Sequence, residues 1–260
     1  MGICCEGRNS SISEKQLNTI FESLPISNTS IEDFINYYEN KIQSNYFTPG
    51  NNNNIINDIS YQELINVYLL PKNEEAEILN EYWFDFYNSM KFNERTLKIK
   101  FILSLFCKLN DSNNYTKNLI KLLEEFELEN KNDDVLNDDF YLYKIEFIKI
   151  LSLYIELITI MTIKHFKYFE NDAEKFEKKK REEWQIDYIE PFIEKYFFES
   201  INEDILKGNL LNINKFLNSN LKRIKDVKKI RENFSDFCLL KINEIEKINN
   251  SSDMNDDSII

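Results

Sequence analysis

One histidine, four glycines, four prolines, four cysteines and two tryptophans are all that 260 residues hold of these types. Each scarcity closes off a kind of chemistry. A lone imidazole, His165, with no clustered cysteines cannot assemble the ligand sets that zinc uses. Only Gly50 and Gly208 lie beyond residue 7, so loops that cradle a phosphate or bring backbone close to a substrate are poorly provided for. No Ser-centred nucleophile elbow occurs. Cys107 and His165 could in principle pair as nucleophile and base, but no local signature accompanies them. The chain therefore reads as a non-enzyme. Cys107 and Cys238 each sit in an apolar stretch and read as buried free thiols of a reducing compartment, not as a disulfide framework. The first ten residues lack the apolar run of a secretory signal, and strand-type alternation is nearly absent.

Positive charge is short as well. Lys and Arg total 32 against 45 Asp and Glu, a net charge of −13. That balance argues against nucleic acid as a partner and against spontaneous adsorption to an anionic leaflet. Two basic runs oppose the trend. Lys175 to Arg181 is interleaved with Glu174, Glu177, Glu182 and Glu183 and reads as a solvated helix face. In the second run Lys222, Arg223, Lys225, Lys228, Lys229 and Arg231 face only Asp226. Its bland reading is again a solvated face, with Leu221, Ile224 and Val227 turned inward. Its functional reading is contact with anionic lipid headgroups, at about 1 kcal/mol per well-placed cation.

What the chain does have starts at Met1-Gly2-Ile3-Cys4-Cys5. A glycine behind the initiator, followed by paired cysteines, reads as a double lipidation site: myristate on Gly2, palmitate on Cys4 and Cys5. The sixth residue, Glu6, departs from the Ser or Thr that the pattern favours. One myristoyl chain holds a membrane only marginally, so a second signal is required. Residues 1–16 carry Glu6, Arg8, Glu14 and Lys15 and have no net charge, which leaves the cysteines to supply it. The expected location is the cytoplasmic face of a membrane, plasma or ciliary.

Hydrophobic residues make up 42% of the chain and aromatics 14%, enough for a substantial core in one large domain or two small ones. Helical periodicity recurs throughout. Ser13-x-x-Gln16 is a capping box opening a helix through Phe21, and Ser30-x-x-Asp33 opens another with Ile31, Phe34, Ile35 and Tyr38 on one face. Further helices are expected over about 61–70, 74–90, 93–109, 116–129, 141–170, 173–200, 212–220 and 221–248. The stretch Ile145–Ile163 is long enough to question as a membrane span. Its Glu146, Lys149 and Glu156 would each cost roughly 2.5–3.5 kcal/mol near a bilayer centre, which points to a buried central helix instead. The expected layout is an acylated flexible segment 1–12, a helical body 13–248 with possible halves 13–110 and 116–248, and a disordered acidic tail 249–260.

Three segments between helices share a pattern that resembles the EF-hand loop. That loop places oxygen ligands at its first, third, fifth, seventh, ninth and twelfth positions. Its apolar eighth residue pairs two hands through a short strand. In Asn52–Glu63, Asn52 and Asn54 take the first and third places, Ile59 the eighth, Ser60 the ninth and Glu63 the twelfth; Ile56 interrupts the ligands and Asn57 replaces the glycine. In Val135–Glu146, Asn137 and Asp139 take the third and fifth places, the Tyr141 carbonyl the seventh, Leu142 the eighth and Glu146 the twelfth; Val135 and Phe140 depart from the pattern. In Glu203–Asn214, Gly208 and Leu210 fit the sixth and eighth places, but Ile205, Lys207 and Asn214 replace ligands. Leu69-Leu70-Pro71 also resembles the branch with neuronal-calcium-sensor and calcineurin-B-like proteins. Trp83 to Lys100 should hold a further hand and shows no loop.

The resemblance spans about residues 13–233. It implies an all-α fold of paired, EF-hand-like helix–loop–helix units with degenerate loops. It implies at most one weakly bound Ca2+, at Asn137, Asp139, Tyr141 and Glu146. It also implies a groove for an amphipathic helix of a partner protein. The function expected from this is a membrane-tethered adaptor that works largely without calcium. A calcium-responsive regulator using the hand around 135–146 is one alternative. A structural component of a ciliary or cortical assembly is another.

Overall fold

The computed structural model describes residues 13–43, 58–71, 76–90, 95–128, 140–166 and 181–256. Helix α1 (Glu14–Ser23) opens with the expected capping box: Gln16 N–H donates to Ser13 Oγ at 3.3 Å, and Ser13 N–H donates to Gln16 Oε1 at 2.9 Å. Ser30 caps α2 (Ile31–Tyr37) by accepting from Asp33 N–H at 3.1 Å. Ile31, Phe34 and Tyr38 are buried along one face, and Ile35 is partly so. A π segment, Tyr38–Gln43, continues α2. Helix α3 (Asp58–Leu64) runs on as a second π segment, Ile65–Leu69, and stops before Pro71, which could not donate to the ladder. Next come α4 (Ala76–Ser89), α5 (Arg95–Ser104) and α6 (Ser112–Leu128).

The expected long helix over 141–170 is not continuous. Tyr141–Tyr143 form a strand, β1, and α7 (Lys144–Ile158) follows it directly. Thr159 breaks the helix, at φ −120° and ψ −82°, before α8 (Ile160–Phe166). The hydroxyls of Thr159 and Thr162 bond back to the carbonyls of Ile155 and Ile158, a competition that bends helices. On α7, Glu146 and Lys149 are exposed and Glu156 is buried. No helix among the described residues is long and apolar enough to cross a membrane.

The helix around Pro191 has four parts: α9 (Arg181–Trp184), a π segment Gln185–Ile189, α10 (Glu190–Ile193) and a π segment Glu194–Phe198. Strands β2 (Leu206–Lys207) and β3 (Leu210–Asn212) form a hairpin closed by Gly208, whose φ of +62° is the left-handed conformation a tight turn demands. Helix α11 (Ile213–Lys225) follows, capped by the Asn212 side chain. Helix α12 (Val227–Asp256) begins one residue past Asp226, whose carboxylate accepts from Lys229 N–H at 3.0 Å. The break therefore falls at Asp226, a good cap, and not at residue 220. Helix α12 also runs past the expected boundary at 248, since a packed helix propagates at one hydrogen bond per added residue.

The all-α expectation holds for most of the described residues, but a three-stranded antiparallel sheet of order β1-β3-β2 is present. Leu142 lies opposite Leu211, Tyr143 opposite Leu210 and Tyr141 opposite Asn212. Pairing thus centres on Leu211, one residue later than the sequence placed it. The sheet is too short to show as alternation. Around it α6 packs along α11, and α7 along α10 and the π segment before it. In the first half α2 packs on α5, and the π end of α3 packs on α4.

One core runs from Leu17 to Cys238. Its tyrosines and one tryptophan use their polar tips to tie helices together. Tyr82 Oη donates to Leu157 O at 2.7 Å, joining α4 to α7. Tyr154 Oη reaches Ile224 O at 2.9 Å, Tyr61 Oη reaches Trp83 O at 3.0 Å, and Trp83 Nε1 reaches Leu69 O at 3.0 Å. Burial pushes the hydroxyls of Tyr61, Tyr82 and Tyr154 above their ordinary titration range.

Candidate functional site

Pro191 lies in the wall of an open groove. It has no N–H to give the Asp187 carbonyl four residues back. Lys241 of α12 donates its ammonium to that carbonyl instead. On this side Phe234 and Phe237 of α12 pack against Phe192, with ring centroids 5.2 and 5.8 Å apart. On the other side no such cover is seen among the described residues. There Ile186 is 65% exposed and Ile145, in the first turn of α7, is 52% exposed. Between them runs a groove of about 630 Å³, with Ile148 and Pro191 in its lining and Glu190, Glu194, Lys195 and Glu199 at its edges. Lys144 pairs with Glu194 at 2.5 Å and stands 4.9 Å from the Phe198 ring centre.

A second cleft, of about 650 Å³, lies among α4, α7, α8 and α9. Its charges pair with one another. Arg181 grips the buried Glu156 with two bonds, at 2.5 and 2.8 Å, and also donates to the Ser89 carbonyl. Gln185 Nε2 adds a bond to Glu156 at 3.1 Å. Asp85 takes Lys164 at 2.6 Å and His165 Nε2 at 3.1 Å. Burial pulls His165 below its ordinary value, against the pull of Asp85. Burial alone would raise the Asp85 carboxyl, but the Lys164 and His165 contacts outweigh it and hold it low. The expected solvated face therefore does not extend to Arg181, whose bidentate bond to Glu156 ties it to α7.

The second basic run divides. Lys222, Lys228 and Lys229 are exposed, with Lys228 at 3.8 Å from Glu232. Arg223 lies over the Tyr196 ring at 3.9 Å. Arg231 is 1% exposed and bonds to Glu14 at 2.7 Å and to Asn18. Lys225 donates to Leu105 O at 2.8 Å, Cys107 O at 2.5 Å and Tyr115 Oη at 2.8 Å. Burial lowers its pKa to about 8, so it still carries its proton at neutral pH. A headgroup-binding face made of all six cations is therefore corrected: Lys225 and Arg231 are structural. The sequence held the signal for Arg231, which sits on the same stripe as Val227, Phe234 and Cys238 at helical spacing. Sequence reasoning also missed Lys100, which is 1% exposed and pairs with Glu39 at 2.8 Å and Glu125 at 3.1 Å.

The remaining candidates fall as follows. Gly2, Cys4, Cys5, Asn137 and Asp139 lie outside the described residues. Tyr141 sits in β1, where its hydroxyl accepts from Asn212 Nδ2 at 3.2 Å, and Glu146 is exposed at the start of α7. Among the described residues no three His, Cys, Asp or Glu side chains are grouped to hold a metal. Cys107 is buried beside Lys225 and Tyr115, its thiol pushed up to about 12 by burial, while His165 faces Asp85 and Tyr82. They do not form a nucleophile–base pair. Comparison with protein-family models, with curated proteins and with solved structures finds no match.

Proposed function

We propose that the chain is a non-catalytic adaptor with an EF-hand-like body, held at the cytoplasmic face of a membrane by acyl chains on Gly2, Cys4 and Cys5, and working largely without calcium. The observation that carries the reading of the body is the pairing of β1 with β3. Each strand runs straight into an outgoing helix, α7 or α11, and the helices of the two units pack crosswise, α6 on α11 and α7 on α10. In an EF-hand pair the eighth loop residues face each other across such a bridge. Leu142 and Leu211 occupy those places. The last loop then spans Asp204–Lys215 and ends on an ammonium where the bidentate carboxylate belongs. α4 and α5 supply the helices of the hand that the sequence could not place. The step from Ser89 to Arg95 is too short for a twelve-residue ligand loop. Both features favour a body that does not wait for calcium.

Fractionation of the full chain from its own cell, beside Gly2→Ala and a Cys4/Cys5→Ser double variant, tests the tether. We expect wild type in the membrane pellet and both variants in the supernatant. Equal behaviour of all three overturns the lipid anchor, and a pellet that resists detergent favours a lattice component instead. Calorimetric titration with calcium tests the rest. Two or more micromolar sites would remove the calcium-independent reading.

A further inference from the structure

We infer that the groove between α7 and the helix through Pro191 docks the apolar face of a Lys- and Arg-rich amphipathic helix from a partner protein. The inference rests on the adaptor reading and gives its docking face a place and a chemistry. Among the described residues Ile186 is the most exposed of the large apolar side chains, and Ile145 across the groove is more than half exposed. Burying both under one helix would take two exposed apolar side chains out of water.

Charge decides among occupants. Glu190, Glu194 and Glu199 edge the groove beside two cations: Lys195, which also stands 5.9 Å from the Phe237 ring, and Lys144, which pairs with Glu194 at 2.5 Å, so Glu190 and Glu199 keep the edge acidic. An anionic lipid surface would be repelled by this edge, and by the net charge of −13. A neutral apolar helix would desolvate the carboxylates with nothing in return. A helix with Lys or Arg flanking its apolar stripe meets both demands: its stripe covers Ile145 and Ile186, and its cations reach the carboxylates. The chain's own α12 is committed to the opposite side through Phe234 and Phe237.

The test uses the unacylated full chain and two labelled 18-residue peptides with the same leucine stripe, one filled with Lys and the other with Glu. Fluorescence anisotropy should show binding of the Lys peptide and not of the Glu peptide. Ile186→Asp and Ile145→Asp should each weaken it by about tenfold or more, at unchanged thermal midpoint, since both side chains are exposed. Glu190→Lys with Glu194→Lys should move the preference toward the Glu peptide. Leu240→Asp, on the exposed part of α12, should change nothing. Binding that survives Ile186→Asp, or that is lost with Leu240→Asp, overturns the groove as the site. Binding of neither peptide, or Ile186-dependent binding to phosphatidylserine vesicles, overturns the partner helix. None of these results bears on the membrane tether, which stands or falls with the Gly2 and Cys4/Cys5 fractionation.

Discussion

The helix from Arg181 to Phe198 has two sides, and they differ more than its sequence suggests. One side buries Tyr188 and Phe192 under α12, which adds Phe234, Phe237 and the Lys241 ammonium. The other carries Ile186, Glu190 and Glu194 along the groove. Both sides offer apolar groups beside charges. On the covered side the Lys241 ammonium sits on the carbonyl that Pro191 cannot reach. On the bare side an apolar floor lies under an acidic edge. The contrast separates a surface the fold consumes from one it leaves available.

The largest expected effect tests the covered side. Phe234→Ala should cost about 3–5 kcal/mol in urea unfolding, because a fully buried ring leaves a cavity against Phe192. A loss under 1 kcal/mol would mean that α12 does not hold this side. Next comes Glu156→Ala, near the end of α7, whose partner Arg181 opens the helix through Pro191. It strands the Arg181 guanidinium, and about 3 kcal/mol should go, the low end for a broken buried pair because Arg181 is 37% exposed. Glu194→Ala, on the groove edge, breaks a more exposed pair and should cost below about 1 kcal/mol. Equal losses at the two glutamates would erase the distinction between a buried pair and an exposed one.

Gly208→Ala should cost about 1 kcal/mol by forcing a Cβ into the left-handed region, although no atom lies within 4 Å of where that Cβ would stand. Chemical denaturation of this variant isolates backbone strain from packing.

Ile186→Ser, on the bare side, should stay within about 0.5 kcal/mol of wild type by the same method. The effect of acid is the smallest. Burial depresses the pKa of His165, which faces Asp85, Lys164, Glu81 and Tyr82. Between its ordinary value of about 6.5 and its folded value, the unfolded chain binds more protons, so stability falls as pH drops through that window. As the chain's only histidine, it makes the slope between about pH 7 and 5 assignable. A thermal midpoint that rises on acidification over that range would contradict the depression, and His165→Gln should flatten the slope.

Local rules carried the helix starts. Ser13 and Ser30 cap where their neighbours said they would, because a cap needs only four residues of context. Pro71 stops a helix for the same kind of reason. The strand β1 came into view through its place in a loop pattern, since three residues cannot display a period. The inward cations escaped because a charge run carries no direction until the partner helix is known. Arg231 finds Glu14, and Lys100 finds Glu39 and Glu125, across separations that no local window contains. The groove escaped for a related reason. Ile145 and Ile186 fit the apolar periodicity of their own helices, and only the packing of α7 on its neighbour shows them exposed among the described residues.

The ammonium of Lys225 closes the end of α5 and leans on Tyr115 of α6, while its own backbone belongs to α11. It works as a rivet between the first half of the chain and the last. Neither half can loosen without stripping a cation of three acceptors, so the two should melt as one cooperative unit. The chain carries its own reporters for this: Trp83 is buried in α4 and Trp184 in α9. Their fluorescence should trace superimposable unfolding curves in single-tryptophan variants, and the curves should separate once Lys225 is replaced by Met.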